Sequence, residues 1–287
     1  MSNRPREDGK FTYLSLGAGV QSTALLAMVT FPAAAKELLH WQEYGHSLPH
    51  YPERPDVAIF ADTQSEPAYV YEHMDRLRVL TNIPIVSVTR GNLATDMVGG
   101  SRTTMPVFTA SPDGRAGIAL RKCSVEYKVD PIQRWVREHL GYTKGQRVKH
   151  KVRCMVGISV DEVQRAKPSQ ERWIERVHPL IDASMRRADC IKFLEAVGWP
   201  VPKKSACVFC PYHDDAAWRD LRDNYPAEFQ KAVAFDAAIR SSEKAGLTSP
   251  VFLHRSLVPL DQVQFREAAT TPLFDSFTDE CEGMCGV

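Results

Sequence analysis

The chain of 287 residues lacks any apolar run near the roughly 18 residues that a membrane span needs, so no membrane partner is expected. Its first ten residues, Met1-Ser-Asn-Arg-Pro-Arg-Glu-Asp-Gly-Lys10, are polar and do not resemble a secretory signal, so a cytoplasmic protein is expected. Charge of one sign is also missing. Thirty-six Lys and Arg balance 35 Asp and Glu to a formal +1, and composition alone gives no vote for nucleic acid or an anionic membrane. No internal repeat or low-complexity segment occurs. Seven cysteines are too few for a disulfide framework in a chain this long. In a reducing compartment, clustered cysteines point instead to metal or redox chemistry.

The most informative segment that is present is Tyr13-Leu-Ser-Leu-Gly-Ala-Gly-Val-Gln-Ser-Thr-Ala-Leu-Leu26. A short apolar run meets a Gly-Ala-Gly turn, and an Ala/Leu-rich segment follows at once. That pattern reads as strand, tight turn and helix. Gly17 and Gly19 allow a sharp turn and close backbone approach to a ligand. The free N–H groups of the first helical turn, with Ser22, then converge on one spot that favours an anion. The glycine spacing fits neither G-x-x-x-x-G-K-[ST] nor G-x-G-x-x-G. An ordinary βα turn is the alternative.

Further along, Asp56–Ala61 reads as a buried strand ending in the polar run Asp62-Thr-Gln-Ser-Glu66. Pro67 opens a helix to about Leu80 with Val70, Met74 and Leu77 on one face. Ile85–Val88 is a third strand. Residues 90–120, rich in Gly, Thr, Ser and Pro, read as a long loop. A helix is expected from about Ser124 to Leu140 and a strand at about Val152–Ile158. Alternation of strands and helices predicts an α/β fold: a parallel sheet with helices on both faces over residues 1–182. Residues 183–287 read as a helical, cysteine-bearing region. In such sheets ligands sit at the carboxyl ends of the strands, where Gly17, Asp62 and Gly157 fall.

Cys207-Val-Phe-Cys210-Pro211 is the strongest metal signal, because two thiolates at this spacing can reach one centre from a tight turn. Structural zinc and a redox dithiol are the alternatives. Cys154, in an apolar strand, and Cys190, on a helix face, read as core residues. Arg147-Val-Lys-His-Lys-Val-Arg153 is a basic run that could meet a phosphate backbone, although a solvated loop entering a strand accounts for it slightly better. His213 reads as a ligand, an acid/base group or a helix cap, and His254-Arg255-Ser256 could bring basic groups to a substrate.

Together these residues resemble the PP-loop ATP pyrophosphatase superfamily (adenine nucleotide α-hydrolase-like), in its phosphoadenosine phosphosulfate reductase-like branch. Gly17-Ala-Gly-Val-Gln-Ser22 occupies the register of that family's S-G-G-x-D-S loop, with Gly17, Ala18 and Gln21 at altered positions. Phe60–Glu66 resembles its second-strand motif. Gly157-Ile-Ser-Val-Asp-Glu162-Val-Gln-Arg165 resembles G-x-R-x-x-E-S-x-x-R, with Ser159 replacing Arg. Cys123-Ser-Val-Glu-Tyr-Lys128-Val-Asp-Pro131 resembles C-C-x-x-x-K-x-x-P, with one cysteine of the pair absent.

The resemblance implies an enzyme that cleaves ATP at its α-phosphate, adenylates a substrate and transfers sulfur with an iron–sulfur cluster. A sulfonucleotide reductase and a non-catalytic nucleotide- or cluster-binding regulator are the alternatives. It implies nucleotide contacts from Gly17, Ala18, Gly19, Gln21, Ser22, Asp62 and Gly157. Lys128, Glu162, Arg165 and the tail Cys281 are the implied catalytic groups. Arg165 and Lys128 would neutralise phosphate or sulfate oxygens, and Asp62 and Glu162 would hold Mg²⁺ or a ribose hydroxyl. Cys123, Cys207 and Cys210 would bind a 4Fe–4S cluster with Cys285 as fourth ligand, Zn²⁺ being the rival metal. Implied partners are a nucleotide and a tRNA, DNA or sulfur-donor protein; a homodimer is left open.

Overall fold

The computed structural model describes residues 10–35, 52–100, 104–110, 116–240 and 249–266. Five parallel strands form its central sheet: β1 (Thr12–Ser15), β2 (Val57–Asp62), β3 (Ile85–Thr89), β6 (Val152–Val156) and β7 (Ile174–Val177). Their order is β3-β2-β1-β6-β7. Strands buried on both faces need apolar side chains at nearly every position. Period-2 alternation then sorts them between two cores. Leu14, Ala58, Phe60 and Met155 face one core, and Tyr13, Val57, Ile59, Val152 and Cys154 the other.

The first core is covered by α1 (Val20–Thr30), α2 (Ala68–Leu80) and, after the short turn α5 (Pro179–Asp182), by α6 (Arg187–Ala196). Helix α1 is buried on every side from Val20 to Val29, so it shows no amphipathic stripe. Helix α2 buries Val70, His73, Met74 and Leu77, at the three- and four-residue spacing the sequence predicted. The opposite face carries α4 (Asp130–His139) through Ile132 and Val136. Immediately before α4, Val125–Val129 forms a wider turn, a π-type geometry that often accompanies functional sites. It turns the consecutive side chains of Tyr127, Lys128 and Val129 inward. The expected parallel α/β sheet with helices on both faces is the observed fold. Among the described residues no helix is long and apolar enough to cross a membrane.

Residues 90–120 are not the loop the sequence predicted. They contain α3 (Leu93–Gly99), capped by the Asn92 side chain accepting from the Thr95 N–H at 3.0 Å, and two short strands, β4 (Phe108–Ala110) and β5 (Ala116–Ile118). These pair antiparallel, in the order β5-β4-β8, with β8 (Val251–Phe252). Strands of two or three residues carry too little periodicity to be read from sequence. This small sheet, α3, α7 (Asp215–Asn224) and α8 (Pro226–Arg240) enclose a third core around Trp218, Phe229 and Phe235. Cys154 and Cys190 are fully buried core residues, as their settings predicted.

The central sheet is bound to α1 through Gly157. A Cβ added there would stand 2.7 Å from the Ser22 backbone nitrogen and 2.8 Å from its Cα, and neither backbone atom can swing aside. Gly157→Ala is therefore expected to lower the free energy of unfolding by about 1–3 kcal/mol, the usual cost of overpacking. Denaturant titration checks it.

Candidate functional site

The chain runs β1, β2, β3 toward one edge of the sheet, then returns to place β6 and β7 on the far side of β1. Strand order thus reverses between β1 and β6, which opens a crevice beyond their carboxyl ends. Gly17, Ala18 and Gly19 leave β1 into that crevice, and Gly157 leaves β6 into it. Ala18 holds a left-handed conformation at φ 59°. For a residue with a Cβ this costs about 1–2 kcal/mol, a strain that the surrounding packing must hold. Gly19 caps α1 without any side-chain bond, and the first turn of α1 carries no acidic residue. Its N–H groups therefore meet no competing carboxylate from that turn. Ser22, 1% exposed, donates its hydroxyl to the Gly19 carbonyl at 3.2 Å.

Gln21 and Glu162 meet in this crevice although 141 residues separate them. The Gln21 amide nitrogen donates to Glu162 Oε2 at 3.1 Å, and its oxygen accepts from Arg187 Nη1 at 3.0 Å. Arg165 pairs with the other Glu162 oxygen. Four side chains therefore form a linked row, Arg187–Gln21–Glu162–Arg165. A carboxylate at position 21 would face that of Glu162 at hydrogen-bonding distance and repel it. The neutral amide supplies one donor and one acceptor, the match this pair requires. Ser159 is fully buried and carries a hydroxyl with no hydrogen-bond partner among the described residues.

Asp62 ends β2 on the same edge, where its Oδ1 accepts from the Gln64 N–H at 2.7 Å and the Tyr71 hydroxyl at 2.9 Å. A cleft of about 210 Å³ opens beside Ala18, lined among others by Tyr69, His73, Arg76, Lys203 and Tyr225. His73 lies 3.0 Å from the Thr23 hydroxyl, and burial pushes its pKa down to about 4.

The thiols gather next to the end of β2. Cys123, Cys207 and Cys210 line one cavity of about 30 Å³ together with Thr63, Met105 and Lys128. The Cys207–Cys210 turn is closed by Cys210 N–H donating to the Cys207 carbonyl at 3.0 Å. It is tied to the polar run after β2 by Val208 N–H donating to the Ser65 carbonyl at 2.8 Å. The Thr63 hydroxyl lies 3.2 Å from Cys207 Sγ, and Glu66 Oε1 lies 3.7 Å from it. Lys128 Nζ stands 3.6 Å from the same Glu66 oxygen, both side chains being buried. Burial first, then the Glu66 charge, hold the Cys207 thiol well above its ordinary pKa, with Lys128 opposing. Among the described residues no group of three or more His, Cys, Asp or Glu side chains is arranged to hold a metal ion.

The predicted site residues therefore fall into two groups on one sheet edge. Gly17, Ala18, Gly19, Gln21, Ser22, Gly157, Glu162 and Arg165 surround the crevice, with Asp62 at the neighbouring strand end. Lys128 joins Cys123, Cys207 and Cys210 instead of the Glu162–Arg165 pair. Cys281 and Cys285 lie outside the described residues. His213 places Nε2 3.0 Å from the Cys207 carbonyl, so its neutral ring donates to and braces the thiol turn. The helix cap is Asp214, whose Oδ1 accepts from the Ala217 N–H at 2.7 Å. His254 and Arg255 both turn to Asp215, at 3.2 and 3.1 Å. Sequence reasoning missed three contributors: Glu66, Thr63 and Arg187. The polar run closing β2 was the available signal for the first two; Arg187 offered none.

No protein-family model matches the chain, and no curated protein matches it. Among solved structures it is similar to the phosphate complex of phosphoadenylyl-sulfate (PAPS) reductase from Candida auris, at 13% identity and a TM-score of 0.40. That likeness covers 66% of this chain and 73% of the other.

His73 and His213 generate a pH dependence. Burial leaves both neutral, with folded pKa values of about 4 against an ordinary 6.5. Between those values the unfolded chain binds protons that the folded one refuses, so stability is lost as pH falls through this window. Each histidine is expected to contribute a slope of up to about 1.4 kcal/mol per pH unit. Denaturant midpoints from pH 7 to 4 check this, and His73→Gln should remove one share of the slope.

Proposed function

We propose that the crevice at the β1/β6 switch binds ATP and that the chain cleaves it between the α- and β-phosphates. A substrate oxygen attacks the α-phosphorus, the bridging bond breaks, pyrophosphate leaves and the substrate is retained as its adenylate. The observation that carries this reading is the meeting, on one sheet edge, of a helix start whose first turn carries no acidic residue and a three-thiol cavity. The backbone of Gly17–Gly19 and the first N–H groups of α1 would hold the pyrophosphate, with Ser22 turning its hydroxyl to a phosphate oxygen. Arg165 and Arg187 would offset the charge developing on the phosphates. Mg²⁺ arriving with ATP would draw on Asp62 or Glu162, because Gln21 offers no carboxylate.

The second half of the proposal is sulfur chemistry. Three thiols on one cavity wall supply the donor type that a thiophilic metal takes, although among the described residues they are not arranged around one point. We assign Cys123, Cys207 and Cys210 to a 4Fe–4S cluster, with Cys285 as fourth ligand and zinc as the rival occupant. When bound, such a cluster supplies electrons or bridging sulfur. Burial and Glu66 keep Cys207 protonated until a cation offsets the charge, and Lys128 moderates that field. Cys281 would carry or attack sulfur from the tail.

Buried Gln21 favours a second reading, a sulfonucleotide reductase handling its ligand without a loop-bound metal. A cysteine thiolate would then take the sulfonate from the nucleotide, and a second thiol would expel sulfite as a disulfide forms.

Product analysis separates the readings: pyrophosphate from ATP supports the first, sulfite from a sulfonucleotide the second, and neither leaves a binding protein. Ser22→Ala removes one hydrogen bond to a charged acceptor, so calorimetry should show ATP affinity falling by about 1.5–3 kcal/mol with the fold retained. Unchanged affinity refutes the loop assignment. Anaerobic purification should give protein with iron and acid-labile sulfide, lost in Cys207→Ala and kept in Cys154→Ala. Stoichiometric zinc without sulfide would overturn the cluster.

A further inference from the structure

At the opposite end of the sheet, a groove of about 710 Å³ opens where β6 and β7 begin. Five of its ten lining residues are Arg or Lys: Arg137, Arg147, Lys149, Lys151 and Arg172. Glu171 is the single carboxylate among the ten, and it accepts from the Trp173 indole at 2.9 Å. Some cations elsewhere in the molecule do find carboxylates, as Lys10 finds Glu175 at 3.3 Å, Arg153 finds Glu53 at 3.0 Å and Lys203 finds Asp220 at 2.9 Å. None of the five groove cations forms an ion pair with a carboxylate among the described residues. In a chain of formal charge +1, this is a local concentration of positive charge left open to solvent.

The groove wall is built, not draped. The Arg137 guanidinium reaches from α4 to the Thr143 carbonyl at 3.1 Å and the Gln146 carbonyl at 2.6 Å. Tyr142 places its hydroxyl 2.7 Å from His150 Nδ1 and accepts the Lys149 N–H at 3.1 Å. Lys151 bonds the Arg172 carbonyl, tying the approach to β6 to the turn before β7. Arg147, Lys149 and Arg172 are thus carried on a braced frame, and their side chains are exposed.

We infer that this groove docks the phosphate backbone of a nucleic acid. Five cations without carboxylate partners among the described residues repel one another, and a ligand with regularly repeated single charges relieves that repulsion at several points at once. A single phosphate would neutralise only one or two of them, and the concave, braced wall suits a strand better than a flat bilayer. Because the groove touches backbone charges alone, recognition is of the polyanion and not of base sequence. The groove lies at the amino ends of the strands, so docking there leaves the crevice at their carboxyl ends free. The inference does not depend on ATP cleavage.

The test is fluorescence anisotropy with labelled 30-nucleotide single-stranded RNA and double-stranded DNA of mixed sequence. Both arms share phosphate, and their comparison tells which backbone the groove prefers. Neutralising five phosphates of a single strand predicts an affinity loss of about 100-fold between 50 and 200 mM salt. The double variant Lys149→Glu, Arg172→Glu should bind at least about tenfold more weakly at 100 mM salt, and Lys149→Gln, Arg172→Gln by a smaller factor. Lys192→Glu, on the outside of α6, should bind as wild type. Melting temperature and ATP affinity should stay unchanged in all of them. No binding of either nucleic acid at 50 mM salt overturns the inference. So does equal binding by wild type and both double variants, or binding of phosphatidylserine vesicles that exceeds binding of the nucleic acids.

Discussion

The contact between Gly157 and the backbone of Ser22 constrains everything built around the crevice. It joins the exit of β6 to the first turn of α1, and so it sets how far β1 and β6 can separate at their carboxyl ends. A side chain at 157 would push α1 outward and carry Gln21 away from Glu162. The row of Arg187, Gln21, Glu162 and Arg165 exists only because segments distant in sequence are held at this spacing. Its members pair with one another in a setting where an unmatched buried charge would be costly. The left-handed Ala18 is tolerated within the same frame, since the packing of α1 against the sheet and α6 leaves the loop no relaxed alternative.

The thiol cavity depends on a second junction, between the end of β2 and the third core. Thr63 and Glu66 belong to the polar run that closes β2, while Cys207 belongs to a turn about 140 residues later; Val208 hydrogen-bonded to Ser65 holds the two together. The π-type turn before α4 then delivers Lys128 to Glu66. An ordinary helical turn would spread three successive side chains over about 200° of the helix surface, whereas here Tyr127, Lys128 and Val129 are all buried. The electrostatics of the cavity follow: burial and one carboxylate raise the proton affinity of the Cys207 thiol, and one ammonium, also out of water, opposes them.

Much of the crevice is legible in the amino-acid sequence. Gly17 and Gly19 announce the turn because a strand runs into them and a helix out of them, and burial on both faces makes β1, β2 and β6 apolar enough to recognise. Strand β7 escapes because Ile174-Glu-Arg-Val177 sits at the sheet edge and exposes Glu175 to solvent, which dilutes its apolar signal. The segment 90–120 escapes because its strands are only three residues long and its Pro and Gly content mimics a loop. Arg187 is illegible for a different reason, and Glu66 is visible only as part of the polar run that closes β2. Each is an ordinary charged residue locally, and what distinguishes it is a partner brought near by the strand order alone. Lys128 is legible as a functional residue, but a linear motif cannot tell which of two neighbouring clusters it joins.

The braced basic groove also shapes how the protein behaves as a colloid. The whole chain has a pI near 7.6, so at mildly alkaline pH it carries almost no net field to keep copies apart. Its lysines and arginines remain charged there, and the groove stays positive while the molecule as a whole is neutral. Such a molecule is a patchy particle: in dilute buffer the groove of one copy attracts acidic surface on another, and solubility passes through a minimum. Added salt dissolves these contacts by shortening the screening length to about 8 Å at physiological ionic strength.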